Sequence, residues 1–167
     1  IKKIAGYDLF LFLMNKLNNE HGSVFFLGAS EGTLEKIRSK SSKEYPNITF
    51  GSYSPAFKVT FSSNDSKIMC DKVNVFNPDV LFVGMTAPKQ EKWIHFNKDN
   101  LNANVICSIG AVFDFYAENI ERAPNFIINL GLEWLHRSLK STRLLKRNFF
   151  SNPKFIFDVI LFKLKVK

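Results

Sequence analysis

The sequence predicts an α/β domain built on a mostly parallel sheet with helices on both faces. Three observations lead there. Four short apolar runs, residues 24–27, 48–50, 80–83 and 105–109, have the unbroken character of strands buried on both sides. Stretches of helical period separate them, giving units of about 25–30 residues. Glycine, asparagine or proline punctuates the junctions.

The elements follow in order. A first helix is expected over 8–18, stopping near Gly22, and the first strand runs over 24–27. The turn Leu27-Gly28-Ala29-Ser30-Glu31-Gly32-Thr33 then opens a helix over 31–43 that must stop before Pro46. After the strand at 48–50, a helix over 64–76 has a good capping residue and ends at Asn77-Pro78. The strand at 80–83 leads to a helix over 88–97 with Pro88 in its first turn. From Pro124 onward the pattern is helical, in two or three pieces broken near 141–142 and 152–153. No internal repeat is visible.

Composition narrows the class further. The chain has 167 residues, 46% hydrophobic and 23% charged, which excludes a disordered, collagenous or polytopic membrane protein. Cys70 and Cys107 each sit in an apolar run and read as buried core thiols of a reducing compartment. His21, His95 and His136 are scattered, so no metal site is expected. No cleavable signal peptide opens the chain. It begins at Ile1 rather than Met, and a piece of a longer protein is expected.

Charge divides the chain in two. Before residue 134 the basic and acidic residues number fourteen each. From there on, nine basic residues face Asp158 alone, so the whole net charge of +8 lies at the C-terminal end. Such an end implies an anionic surface as partner. Its basic residues are interleaved with Phe, Ile and Leu, and the apolar run over 155–166 is too short to span a bilayer. A helix of that kind buries against protein or lies in a lipid interface. The expected organisation is a body over 1–138 and a basic, apolar helical appendage over 139–167 that meets an anionic membrane.

Candidate site residues gather after the strands, where ligands bind in open α/β sheets. The turn at Gly28 could hold a phosphate on backbone amides or serve only as a tight turn. It lacks the dinucleotide spacing G-x-G-x-x-G. The third strand ends at Gly84, where the backbone could approach a ligand, and Pro88, Lys89, Gln90, Glu91 and Lys92 crowd the next helix start. Gln90 both donates and accepts, which suits uracil or a sugar hydroxyl; Lys89 or Lys92 could meet a phosphate. A capped surface helix with a mixed charge pattern is the competing reading. The fourth strand delivers Gly110 and then Asp114, an acid between apolar neighbours that needs a partner. Glu133 and Arg137, four residues apart on a helix, could form a structural ion pair or touch substrate.

Together these stretches resemble the WecG/TagA/CpsF family of bacterial glycosyltransferases. The likeness is carried by Gly6-Tyr7-Asp8, Leu27-Gly28, Pro78-Asp79-Val80-Leu81-Phe82-Val83-Gly84, Ala87-Pro88-Lys89-Gln90-Glu91-Lys92-Trp93, Gly110 through Phe115, Arg122-Ala123-Pro124 and Gly131-Leu132-Glu133-Trp134-Leu135-His136-Arg137. It covers essentially the whole chain. The resemblance implies a Rossmann-like fold and an inverting, metal-independent and cofactor-free transfer. The sugar, typically N-acetylmannosamine or its uronic acid, passes from a UDP-sugar donor to an undecaprenyl-diphosphate-linked saccharide at the cytoplasmic face of the membrane, in teichoic acid or surface polysaccharide synthesis.

The substrate-binding set expected on this basis is Lys3, Gly28, Gly84, Pro88, Lys89, Gln90, Glu91, Gly110, Asp114, Arg122, Arg137, Arg143 and Arg147. The family's catalytic aspartate belongs to a segment that would precede Ile1, so no catalytic residue is assigned and the 167 residues alone are expected not to turn over. Lys3 stands where the family often has Arg, Thr86 where it has glycine, and Thr142 where it has proline. Self-association is left open. An inactive, membrane-tethered remnant is the alternative. A nucleic-acid module would need stacking aromatics on an exposed sheet, and a nicotinamide enzyme the missing glycine fingerprint.

Overall fold

The computed structural model describes residues 5–121 together with Pro124 and Ile127. The chain forms two compact units, Ile1–Ile120 and Glu121–Lys167. The boundary expected between 138 and 139, and the appendage at 139–167, lie outside the described residues.

The first unit alternates helix and strand as the sequence predicts: α1 (Gly6–Glu20), β1 (Ser23–Gly28), α2 (Glu31–Glu44), β2 (Thr49–Tyr53), α3 (Ser63–Phe76), β3 (Val80–Gly84), α4 (Lys89–Asn97), β4 (Val105–Ser108) and α5 (Val112–Tyr116). All four strands are parallel, in the order β2-β1-β3-β4. Residues alternate strictly across the sheet. Val24, Phe26, Val80 and Phe82 pack beneath α1, α2 and α5, against Phe10, Met14, Leu34, Ile37, Phe113 and Tyr116. Their neighbours Phe25, Leu27, Leu81 and Val83 pack on α3 and α4, against Met69, Cys70, Val73 and Trp93. Period-two strands between two amphipathic helical layers are what place helices on both faces.

Local signals set the ends. The Asp8 carboxylate accepts the Ala5 N–H at 3.1 Å, and His21 closes α1 in the left-handed region. Ser30 caps α2 by accepting from the Thr33 N–H at 3.2 Å, and Ser62 with Asp65 forms a capping box on α3. Asn77, left-handed at φ 53°, ends α3 just before Pro78.

Two expectations are corrected. Only the central strands β1 and β3 are buried along most of their length; β2 and β4 flank them and are half-exposed. Cys70 is buried but Cys107, on β4, is only partly so. Burial raises both thiols above the usual cysteine range. The α-helix missed in sequence is α5, a five-residue helix built from the Val112-Phe113-Asp114-Phe115-Tyr116 stretch.

At the amino end of the sheet, Asp79 ties three strands. Its Oδ2 accepts from the Ser23 N–H at 2.8 Å and the Ser23 hydroxyl at 2.9 Å, and its Oδ1 accepts from Asn104 Nδ2 at 3.1 Å. These donors hold the Asp79 carboxyl below the usual carboxylate range.

Candidate functional site

Strand order dictates where a ligand would sit. From β1 the chain leaves toward β2, and from β3 it leaves toward β4, so the sheet order reverses between β1 and β3. Loops diverging from two adjacent parallel strands open a crevice at their carboxyl ends. Gly28 and Gly84 are register partners at that point.

Both glycines serve close packing. A Cβ on Gly28, whose φ is +115°, would lie 2.4 Å from the Gly84 carbonyl oxygen. Ala29, itself left-handed at φ 56°, donates its N–H to that same oxygen at 3.0 Å. A Cβ on Gly84 would lie 2.1 Å from the Phe113 ring. The space beside Gly84 that the sequence reading kept for a ligand is therefore filled by Phe113 of α5.

Gln90 is the organising side chain of the edge. It is buried at 4% exposure in the first turn of α4. Its Oε1 accepts from the Met85 N–H at 3.1 Å and from the Gly110 N–H at 3.2 Å, joining the loops after β3 and β4. Its Nε2 donates to Glu91 Oε1 at 2.8 Å. Gly110 takes φ +56°, which turns the chain from β4 into α5. The sequence singled out Gln90 for its dual hydrogen-bonding capacity, and that capacity is spent here on backbone and on Glu91.

The other expected residues are placed as follows. Pro88 precedes α4 after a cis Ala87–Pro88 bond and lines a groove between α3 and α4, with Lys89 beside it. Lys89 Nζ donates to the Lys58 carbonyl at 2.9 Å and lies over the rings of Phe57 and Phe61, at 5.2 and 4.8 Å from their centroids. Asp114 is half-buried on α5 and its Oδ1 accepts from Asn119 Nδ2 at 3.4 Å. Asn119 is a partner that sequence reasoning missed. Its Nδ2 also reaches Thr33 Oγ1 at 3.0 Å, and its Oδ1 accepts from Lys36 Nζ at 2.7 Å. Asn119 thus links the start of α2 to the end of α5 beside the crevice. Lys3, Arg122, Arg137, Arg143 and Arg147 lie outside the described residues.

Strand order, glycine-packed strand ends and polar loops make this a doubly wound α/β protein with a candidate binding edge at the β1/β3 reversal. No group of three or more His, Cys, Asp or Glu side chains that could hold a metal occurs among the described residues. No helix among the described residues is long and apolar enough to cross a membrane.

The family profile of the glycosyl transferase WecG/TagA/CpsF family matches residues 1–167, and the chain belongs to that family. It is 34% identical over 158 residues to the N-acetylglucosaminyldiphosphoundecaprenol N-acetyl-beta-D-mannosaminyltransferase of Bacillus subtilis (strain 168), covering 95% of this chain and 59% of that protein. The like-named proteins of Bacillus spizizenii and Staphylococcus aureus (strain MW2) are 32% and 28% identical, over 95% and 99% of this chain. The chain spans about three fifths of the length of these relatives.

Proposed function

We propose that this chain is the donor-binding part of a glycosyltransferase that moves N-acetylmannosamine, its uronic acid or a related hexose from a UDP-sugar to an undecaprenyl-diphosphate-linked saccharide. The observation that carries the reading is the reversal of strand order between β1 and β3 in a chain of this family. The relatives' names supply the sugar and the acceptor. UDP lies across the carboxyl edge, with Gly28 and Gly110 admitting close backbone approach and Asp114 facing it from α5. Gln90, Pro88 and Glu91 shape this wall of the crevice, with Gln90 holding the Met85 and Gly110 backbone in place for the nucleotide.

Attack by the acceptor hydroxyl on the anomeric carbon needs a general base, and the departing UDP needs a positive partner. We assign the diphosphate to Arg137, Arg143 and Arg147, with Lys3 and Arg122 as further cations. The base is assigned to a segment outside residues 1–167. The appendage at 139–167 brings the edge to the inner face of an anionic membrane, where each Lys or Arg near the surface contributes about 1 kcal/mol.

Calorimetric titration tests the reading. UDP should bind the 167-residue chain, and labelled UDP-N-acetylmannosamine should give no transfer to a short-chain lipid-diphosphate acceptor. Absence of UDP binding would refute the donor-site assignment. Turnover by the chain itself would move the base to Asp114. Removing 139–167 should abolish sedimentation with phosphatidylglycerol vesicles while the α/β body stays folded.

A further inference from the structure

The loop after β2 displays two large apolar side chains. Phe57 and Val59 are each 90% exposed, while Lys58 between them, 46% exposed, pairs with Asp65 at 2.8 Å. An exposed apolar pair of this kind is the informative departure from ordinary surface composition. Lys58 is held by the capping carboxylate of α3, and its carbonyl is held by Lys89 Nζ. The Lys89 cation also lies over Phe57 and Phe61, so the loop is pinned from two helices in this presentation.

The apolar surface continues from the loop. A groove of about 940 Å³ runs between α3 and α4, lined by Val59, Phe61, Trp93 and Phe96, the last 76% exposed. The buried indole N–H of Trp93 has no hydrogen-bond partner among the described residues. The groove's charged lining is Lys67, Lys89, Lys92 and Asp71, and Asp71 is already paired with Lys67 at 2.6 Å. Lys92 makes no ion pair among the described residues. The surface therefore combines exposed aromatic and aliphatic side chains with excess positive charge, the complement of an anionic lipid interface.

We propose that the Phe57-Lys58-Val59 loop and the adjoining α3–α4 groove form a lipid-contacting surface that seats the carboxyl edge of the sheet on an anionic bilayer. This goes beyond the basic appendage, which is a separate stretch of chain. It rests on the proposed function only for the presence of a membrane-held acceptor. Phe57 and Val59 enter the headgroup boundary, and Lys92 meets lipid phosphate. Phe12 on α1, 63% exposed on the opposite face of the sheet, takes no part.

The test uses the whole 167-residue chain with vesicles of phosphatidylglycerol or of phosphatidylcholine. A Phe57→Trp variant should gain fluorescence that shifts to the blue on phosphatidylglycerol and is quenched by acyl-brominated lipid, relative to the parent chain. A Phe57→Ser/Val59→Ser variant should bind phosphatidylglycerol vesicles roughly tenfold more weakly, since two partly buried apolar side chains are lost. Phe12→Ser should bind as the parent does, and both serine variants should keep its thermal transition. Unquenched fluorescence from the Phe57→Trp variant, together with unchanged vesicle affinity of the double-serine variant, would overturn the inference. So would a double variant that changes only the sedimentation coefficient, because a second copy of the chain would then be the occupant. UDP titration separates the two proposals. Absence of UDP binding in both the parent and a Phe57→Trp chain whose added fluorescence is still quenched refutes the donor site and leaves the lipid surface standing.

Discussion

The side-chain oxygen of Gln90 accepts the backbone N–H of Gly110 at 3.2 Å, tying the start of α4 to the loop after β4, twenty residues away in sequence. The same oxygen accepts from Met85 at 3.1 Å, so one buried amide sets the spacing between the ends of β3 and β4. Replacing it by alanine leaves two backbone donors without an acceptor. Each such group costs about 1–3 kcal/mol. Gln90→Ala is expected to lower the urea midpoint and weaken UDP binding together, whereas Gln90→Glu, which keeps an accepting oxygen, should retain more of both. Urea denaturation and calorimetry on the same preparations check this.

Gly84 and Phe113 define a second dependence. A methyl group on Gly84 would stand 2.1 Å from the Phe113 ring, in a core that holds Phe113 at 1% exposure. Overpacking of this kind costs about 1–3 kcal/mol. Gly84→Ala should destabilise the chain, and Phe113→Ala should destabilise it through a cavity. The double variant should lose less than the sum of the two, because the methyl then occupies space the ring vacates. Additive losses in a double-mutant cycle would show that the two positions are uncoupled.

Asp79 makes the amino end of the sheet sensitive to acid. Its folded-state pKa lies below the ordinary value, so its contribution is complete above about pH 4 and fades as pH falls toward the folded value. Asp79→Ala should cost about 1 kcal/mol at neutral pH, near the low end because solvent screens the partly exposed carboxylate. The gap between parent and variant in urea midpoint should narrow as pH is lowered below 4. A gap independent of pH would assign the effect to packing.

Tyr116 acts at the other end of the pH scale. Its buried hydroxyl donates to Glu44 Oε2 at 2.6 Å and accepts from the Ser41 hydroxyl at 3.3 Å. Burial, and then the Glu44 contact, push the phenol far above its usual range. The unfolded chain ionises first, so stability falls as pH rises above about 10. Tyr116→Phe should cost about 1 kcal/mol at neutral pH. Its midpoint should then decline less steeply than the parent's in alkaline urea titrations.

Much of this was legible in the chain. The buried runs at 24–27 and 80–83 and the Asn77-Pro78 stop are local signals, so the central strands and the end of α3 fall where expected. The length of each unit, with one strand and one helix, already implied parallel pairing. Other features required neighbours from far along the chain. The run at 105–109 is as apolar as a central strand, yet β4 is partly exposed because it pairs with β3 alone among the described strands. Val112-Phe113-Asp114-Phe115-Tyr116 is too short and too apolar to show a period, but packing beneath β1 and β3 makes it a helix, with Phe113 and Tyr116 turned inward three residues apart.

The site divides along the same line. Residue chemistry in the sequence was enough to put Gln90, Gly28, Gly84 and Asp114 at the carboxyl edge of the sheet, since each follows or ends a strand. Their partners were decided by tertiary structure. Gly84 meets Phe113, Gln90 meets Gly110, and Asp114 meets Asn119, which also spans to Thr33. Periodicity records which face of an element is apolar, and turn chemistry records where the chain reverses. Neither records which side chains from separate loops meet at the edge, because that depends on the order in which the strands pair.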